Sequence, residues 1–180
     1  MAATKPLIPI TGANQGLGFA TAQQLASGGK YDLLIGARSQ EKAEEDESIT
    51  VAAKFVEEHF GSLDILINNT GINRSLGQIG IAYSPTSEYS AKIWELSVYR
   101  SGKSAINMIN AVDAVSLEKE NILSVLAAPG FCRTNFGGGN GVKSAEEGAQ
   151  LIVRAAIEGT PKELFGKLVA DENTLVGFGW

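Results

Sequence analysis

The chain has 180 residues, 44% of them hydrophobic, and a net charge of -5 at pH 7, which fits one globular domain with a core of its own and argues against a nucleic-acid or anionic-membrane surface. One cysteine, Cys132, has no second cysteine to pair with, and with one histidine, His59, it builds no zinc cluster. Met1 to Pro9 lacks the apolar run of a signal peptide and no segment reaches bilayer length, so the expected location is cytoplasmic, with no membrane partner.

Leu7 to Thr11 is short and apolar and breaks at Gly12, which predicts a buried parallel strand. Leu17, Ala20, Thr21, Gln24 and Leu25 follow at helical spacing, and Gly28-Gly29 ends that helix. Asp32 to Ala37 predicts a second strand, and Ser39 to Glu47 a polar turn. Ser48 to Phe60 reads as a helix with Val51, Phe55 and Val56 inward and His59 at the surface. Leu63 to Asn68 predicts a third buried strand; between Asn73 and Tyr89 only Ile79 to Tyr83 suits a strand. Ala91 to Leu117 reads as a long helix with Met108 in the core, and Ile122 to Ala128 as a strand ended by Pro129-Gly130. Phe136 to Gly141 is a glycine-rich loop. Ser144 to Glu158 is a helix whose Ser144 and Glu147 stand at capping-box spacing, and Leu168 to Ala170 a last short strand. Strands alternating with helices predict an α/β doubly wound sheet, formed as one domain over 1–180.

Gly12-Ala13-Asn14-Gln15-Gly16-Leu17-Gly18 lies between a predicted strand and a predicted helix. A loop there aims the helix N-terminus, with its free N–H groups and partial positive charge, at a pyrophosphate. Its glycines allow a sharp turn and close approach of the ligand. The spacing G-x-x-x-G-x-G is not that of the general dinucleotide fingerprint, so the flanking strand and helix carry the argument.

TGANQGLG at 11–18 resembles the cofactor loop of the short-chain dehydrogenases/reductases. Further matches follow in chain order. Asn68-Asn69-Thr70-Gly71 resembles the family's NNAG motif, with Thr for the usual Ala, and Asp64 stands where the family often has Asp. Tyr99-Arg100-Ser101-Gly102-Lys103 resembles the YxxxK pair. Pro129-Gly130-Phe131-Cys132-Arg133-Thr134 resembles the PG motif. The stretch from Ser144 through Asp171-Glu172 to Trp180 looks like the end of carbonyl-reductase-type members. The resemblance implies a three-layer αβα Rossmann-type parallel sheet with a dinucleotide held by Gly12, Asn14, Gln15, Gly16, Leu17, Gly18, Asn69, Gly71, Pro129, Gly130 and Thr134.

The second strand ends in Gly36-Ala37-Arg38. Where an NAD site has Asp or Glu for the ribose hydroxyls, Arg38 offers a cation to a 2′-phosphate. The expected cofactor is therefore NADP(H) rather than NAD(H). Tyr99 and Lys103 are four apart on a predicted helix and share a face. A phenol with a reference pKa of about 10 rarely ionises at neutral pH, and a neighbouring ammonium favours the phenolate. In the family the tyrosine exchanges a proton with the substrate oxygen, and the lysine also holds the nicotinamide ribose. The implied reaction interconverts a small carbonyl compound and a secondary alcohol by hydride transfer.

Two stretches are short for the family. Arg38 to Asp64 has room for a polar segment and one helix, and only 27 residues separate Gly71 from Tyr99, fewer than the roughly 30 of one βαβ unit. The family's strands 3 and 5 and its serine loop then have no clear place. Thr86, 13 residues before Tyr99, and Ser75 are alternative stand-ins for the catalytic serine, and Ser75, Ser84, Thr86 and Ser87 also read as loop hydroxyls. A natural truncation, residues missing from the sequence, and a different local fold all account for the shortening. A truncated or inactive nucleotide-binding protein, regulatory or without a role, is the alternative to an enzyme, and a chain that does not fold stably is a third reading. Cys132 reads as a packing residue, and Trp94 and Phe136 as either packing or pocket lining. The substrate and the presence of a homo-oligomer stay open.

Overall fold

The computed structural model describes residues 5–37, 47–69, 97–165, 167–170 and 175–177. β1 (Leu7–Ile10) is the apolar run read from the sequence, and it pairs in parallel with β2 (Asp32–Ile35) in the register Leu7 to Asp32 and Ile10 to Ile35. Between them α1 (Gly16–Ser27) buries Gly18, Ala20, Thr21, Ala22 and Leu25 and ends at Gly28, with Gly29 in the left-handed region at φ 59°. Gly28-Gly29 therefore stops the helix as expected.

The third expected strand runs parallel beside β1 on the side away from β2, but irregularly. The Ile67 N–H donates to Pro9 O at 2.9 Å and the Thr11 N–H to Ile67 O at 3.0 Å, forming a single bridge between Ile10 and Ile67. Lower down, both the Asp64 and Ile65 N–H groups converge on Leu7 O, at 3.0 and 3.3 Å. The Leu7 N–H itself donates to the Asp64 carboxylate at 2.7 Å. A side chain thus takes a donor that a regular ladder would use. Only Ile67 of this segment is buried, and Leu63 and Leu66 are exposed, which corrects the expectation of a buried strand.

α2 (Glu47–Phe60) occupies the expected helix. Its expected inward face is not inward: Val51 is 64% and Phe55 46% exposed, and Val56 is half-buried. No other described element packs extensively on α2. Phe55 instead stacks on its own helix's His59, ring centroids 4.2 Å apart. α3 (Ser97–Glu118) falls within the expected long helix. Met108, expected in the core, is 49% exposed, and Ile109, Val112 and Val115 are exposed with it. Of α3's described side chains Ala114 is the buried hydrophobic one, because α3 too lacks an extensive partner among the described elements.

β3 (Leu126–Ala128) is shorter than Ile122 to Ala128. Ahead of it the Ser124 hydroxyl donates to Asn110 Oδ1 of α3 at 2.7 Å. α4 (Ala145–Ile157) has the expected capping box: the Ser144 hydroxyl accepts from the Glu147 N–H at 3.1 Å, and the Glu147 carboxylate from the Ser144 N–H at 2.6 Å. A short α5 (Pro161–Leu164) leads to β4 (Lys167–Ala170), parallel to β3, and β5 (Leu175–Gly177), antiparallel to β4. Neither α5 nor β5 is foreseen from the sequence.

The core lies where α1 and α4 meet the first sheet: Ile8, Ile10, Ala13, Ala22, Leu25 and Ile67, with Ile152, Val153 and Ala156 packed on them. A second cluster of Leu151, Leu164 and Val169 joins α4 to the second sheet. The architecture is α/β, with parallel strand pairs and helices against them, and the described strands fall into two sheets, β1–β2 and β3–β4–β5. Ile79 to Tyr83, the candidate strand between them, lies outside the described residues.

Candidate active site

The loop after β1 turns sharply at Gly12 (φ 62°) and again at Gly16 (φ 57°), both in the left-handed region that favours glycine. It is fastened on both sides. The Ala13 N–H donates to Gly36 O at 3.0 Å and the Gly36 N–H to Ile10 O at 2.9 Å. From the neighbouring segment the Asn69 N–H donates to the Thr11 hydroxyl at 3.0 Å, and the Asn69 side-chain amide to Gly12 O at 3.2 Å. A Cβ at Gly18 would press into that Asn69 amide and lie 2.6 Å from Gly12 O, so the third glycine is needed for close packing of helix on loop.

α1 begins beneath this loop. Its first ladder bond is Phe19 N–H to Gln15 O at 3.3 Å, so by helix geometry the N–H groups of Gly16, Leu17 and Gly18 lie ahead of the ladder. Gln15 holds the N-cap position in an extended conformation without a side-chain cap bond, and the first turn carries no acidic residue. The helix dipole and these N–H groups present a positive end to an anion. Two glycines turning the loop at positive φ, above an uncapped helix start, fit a diphosphate.

The loop after β3 forms the opposite wall. Gly130 turns at φ 84°, and Thr134 reaches over the helix start, its methyl carbon 3.4 Å from where a Cβ of Gly16 would stand. The Asn135 side-chain amide donates to Gln15 Oε1 at 3.3 Å. Beneath, Cys132 is buried with its thiol near Pro129 O (3.6 Å) and Gly130 O (3.7 Å), and Leu17, Pro129 and Cys132 close around Gly148 of α4. Cys132 is a packing residue, as expected.

The structure therefore brings together Gly12, Asn14, Gln15, Gly16, Leu17, Gly18, Asn69, Pro129, Gly130 and Thr134 around the start of α1. Tyr99 and Lys103 lie in the first two turns of α3. Arg38 and Gly71 lie outside the described residues, as do Ser75, Ser84, Thr86, Ser87 and Trp94. Sequence reasoning missed Gly36, Arg133 and Asn135. Gly36 was legible in principle: a Cβ there would sit 3.2 Å from Ile10 O and 3.3 Å from Thr11 Cα, and glycine in a strand signals close backbone approach. Asn135 carries no local signal, since its partner is 120 residues away.

No family model matches the chain. It is 62% identical to the short-chain dehydrogenase anuI of Penicillium roqueforti over 250 aligned positions, which take in 99% of each chain. Those positions outnumber the 180 residues here, so the alignment opens gaps within this chain. Among solved structures, the carbonyl reductase Sniffer of D. melanogaster superposes with a TM-score of 0.73 at 20% identity, over 97% of this chain and 100% of that one. The NADPH-bound carbonyl reductase from chicken fatty liver gives 0.72 at 17% identity, over 98% and 100%. At such identities the two structures speak for the fold.

Proposed function

Since the chain belongs to the short-chain dehydrogenase/reductase family, we propose that it is an NADP(H)-dependent oxidoreductase, a single domain that interconverts a small-molecule carbonyl and a secondary alcohol. The observation that carries this reading is the cradle at the start of α1. There Gly12 and Gly16 turn the loop at positive φ, and the Asn69 amide fills the space a Cβ of Gly18 would take. A reduced nicotinamide dinucleotide supplies the hydride when bound. The chain's own residues do the rest. The N–H groups of Gly16, Leu17 and Gly18 bind the diphosphate, and Asn69 keeps their loop in shape. Thr134 bounds the site opposite, with Pro129 and Gly130 turning the chain toward it. Arg38 pairs with the 2′-phosphate and gives the preference for NADP(H). Asn14 and Gly71 line the adenosine side. Tyr99 donates its hydroxyl proton to the carbonyl oxygen, or takes one from the alcohol, and Lys103 supports the phenolate and holds the nicotinamide ribose. We place the protein's work in the cytoplasm.

The test is ketone-dependent oxidation of NADPH across a carbonyl panel, with Tyr99→Phe and Arg38→Asp. Tyr99→Phe lowers turnover by about 100-fold or more, the usual weight of a positioned proton donor. Retained turnover removes Tyr99 from the proton's path. Arg38→Asp shifts the NADP/NAD affinity ratio toward NAD, and an unchanged ratio removes Arg38. A second reading is a nucleotide-binding protein without turnover. It is favoured by the sparse packing of α3, which carries Tyr99 and Lys103, against the other described elements. It predicts NADPH binding with no carbonyl reduced.

A further inference from the structure

Gln15 and Asn135 stand on opposite walls of the cradle, one in the glycine loop and one in the loop after β3, joined by the 3.3 Å hydrogen bond between their side-chain amides. Two independent features give that bond a purpose. Gln15 occupies the N-cap position, yet its side chain makes no capping bond to α1 and crosses the cleft instead. The wall that carries Asn135 is built to hold its shape. The Arg133 N–H donates to Lys143 O at 2.7 Å, and the Val142 N–H to Phe131 O at 2.9 Å. The Arg133 guanidinium donates to Gly141 O at 3.4 Å and Val142 O at 3.0 Å. Asn135 to Gly137 form one 3-10 turn, closed by Gly138 at φ 66°. Within this loop the main chain is tied to itself, whereas Asn135 and Gln15 tie it to the glycine loop through an exposed side-chain bond.

We propose that Gln15 and Asn135 form a strap across the diphosphate cradle that sets how fast the dinucleotide leaves. The strap rests on the dinucleotide reading given above. The Thr134 methyl stands 3.4 Å from where a Cβ of Gly16 would be, so an occupant of the helix start is flanked by the residue next to Asn135. Release then requires the amide pair to part, and the exposed bond yields before the internally tied loop does. Neither side chain takes part in the chemistry; both are positioning residues. An exposed amide pair of this kind is worth about a 3- to 10-fold change in rate, and changes at one interface fall mostly on dissociation.

The experiment is stopped-flow release of NADPH, followed by its fluorescence, from the full chain and from Gln15→Ala, Asn135→Ala and the double variant, with melting of each free protein alongside. Each single variant is expected to release NADPH about 3- to 10-fold faster, the double no faster than the quicker single, and the free proteins to melt alike. That non-additivity is the signature of one shared bond, which a general loosening of either loop does not produce. Single variants that release at the original rate overturn the strap, as does a double variant whose acceleration is the product of the singles. NADPH that binds normally in those cases leaves the dinucleotide reading standing. An unmodified chain that binds no NADPH overturns the dinucleotide reading and the strap with it.

Discussion

Gly148→Ala tests the packing that holds the two walls of the cradle together. Gly148 is buried in α4. A Cβ there would run into the Cys132 thiol and come within 2.8 Å of Leu17 Cδ2 and 3.5 Å of Pro129 Cβ. Leu17 is the flexible end of a side chain and can turn aside. Cys132 is buried and lodged against Pro129 O and Gly130 O, so it gives way only by moving the loop. In an open helix the change from glycine to alanine stabilises by about 1 kcal/mol. Forcing an extra carbon into a packed core costs about 1–3 kcal/mol. With a near-rigid neighbour the upper part of that range applies, and the expected net loss is about 1–2 kcal/mol. Gly102→Ala in α3, where no described atom lies within 4 Å of the new carbon, has only the favourable part and gains about 0.5–1 kcal/mol. Urea unfolding reads both as shifts in midpoint at constant slope. Cys132→Ala added to Gly148→Ala frees the colliding space and recovers part of the loss. A Gly148→Ala protein as stable as the original, or one that Cys132→Ala makes no better, refutes the reasoning.

Ser144→Ala removes the hydroxyl that caps α4 and is expected to lower stability by about 1 kcal/mol, checked by the same unfolding curves. Glu163 accepts the Thr160 hydroxyl at 2.7 Å and the Thr160 N–H at 3.2 Å. The hydroxyl first, then the N–H, holds its carboxyl below the ordinary value of 4.5. Its folded value is depressed, so the stabilisation is present above the ordinary carboxylate range and is lost as pH falls through the lowered value. The difference in melting temperature between the original and Glu163→Gln therefore shrinks on acidification from pH 7, and a difference independent of pH contradicts this.

What the sequence discloses is whatever depends on neighbours along the chain. Leu7 to Ile10 is continuously apolar and lies in a sheet core; Gly28-Gly29 stops α1; Ser144 and Glu147 are three apart and bond each other. The glycine loop was legible because its turns are made by its own residues, Gly12 and Gly16. Burial was misread wherever it depends on a distant partner. The periodicity of α2 and α3 gives an apolar stripe but does not say what covers it, and Phe55 and Met108 remain exposed. The segment 63–68 reads as a strand, yet whether its ladder is regular depends on an Asp64 side chain competing for the Leu7 N–H, 57 positions away. Leu175–Gly177 is three residues long and ends in glycine, too little for a period to register. The Asn135 side chain reaches Gln15, 120 positions away, so no local pattern marks it.

The contact of α1 with α4 has a mechanical consequence. Among the described elements α1 and α4 share the most extensive helix–helix contact, a seam of side chains. The cradle spans that seam, with Gly16 on one bank and Thr134 on the other. An occupant touching both banks acts as mortar: saturation at a hundred times its dissociation constant adds about 2.7 kcal/mol to the unfolding free energy, a large share of the stability of a small domain.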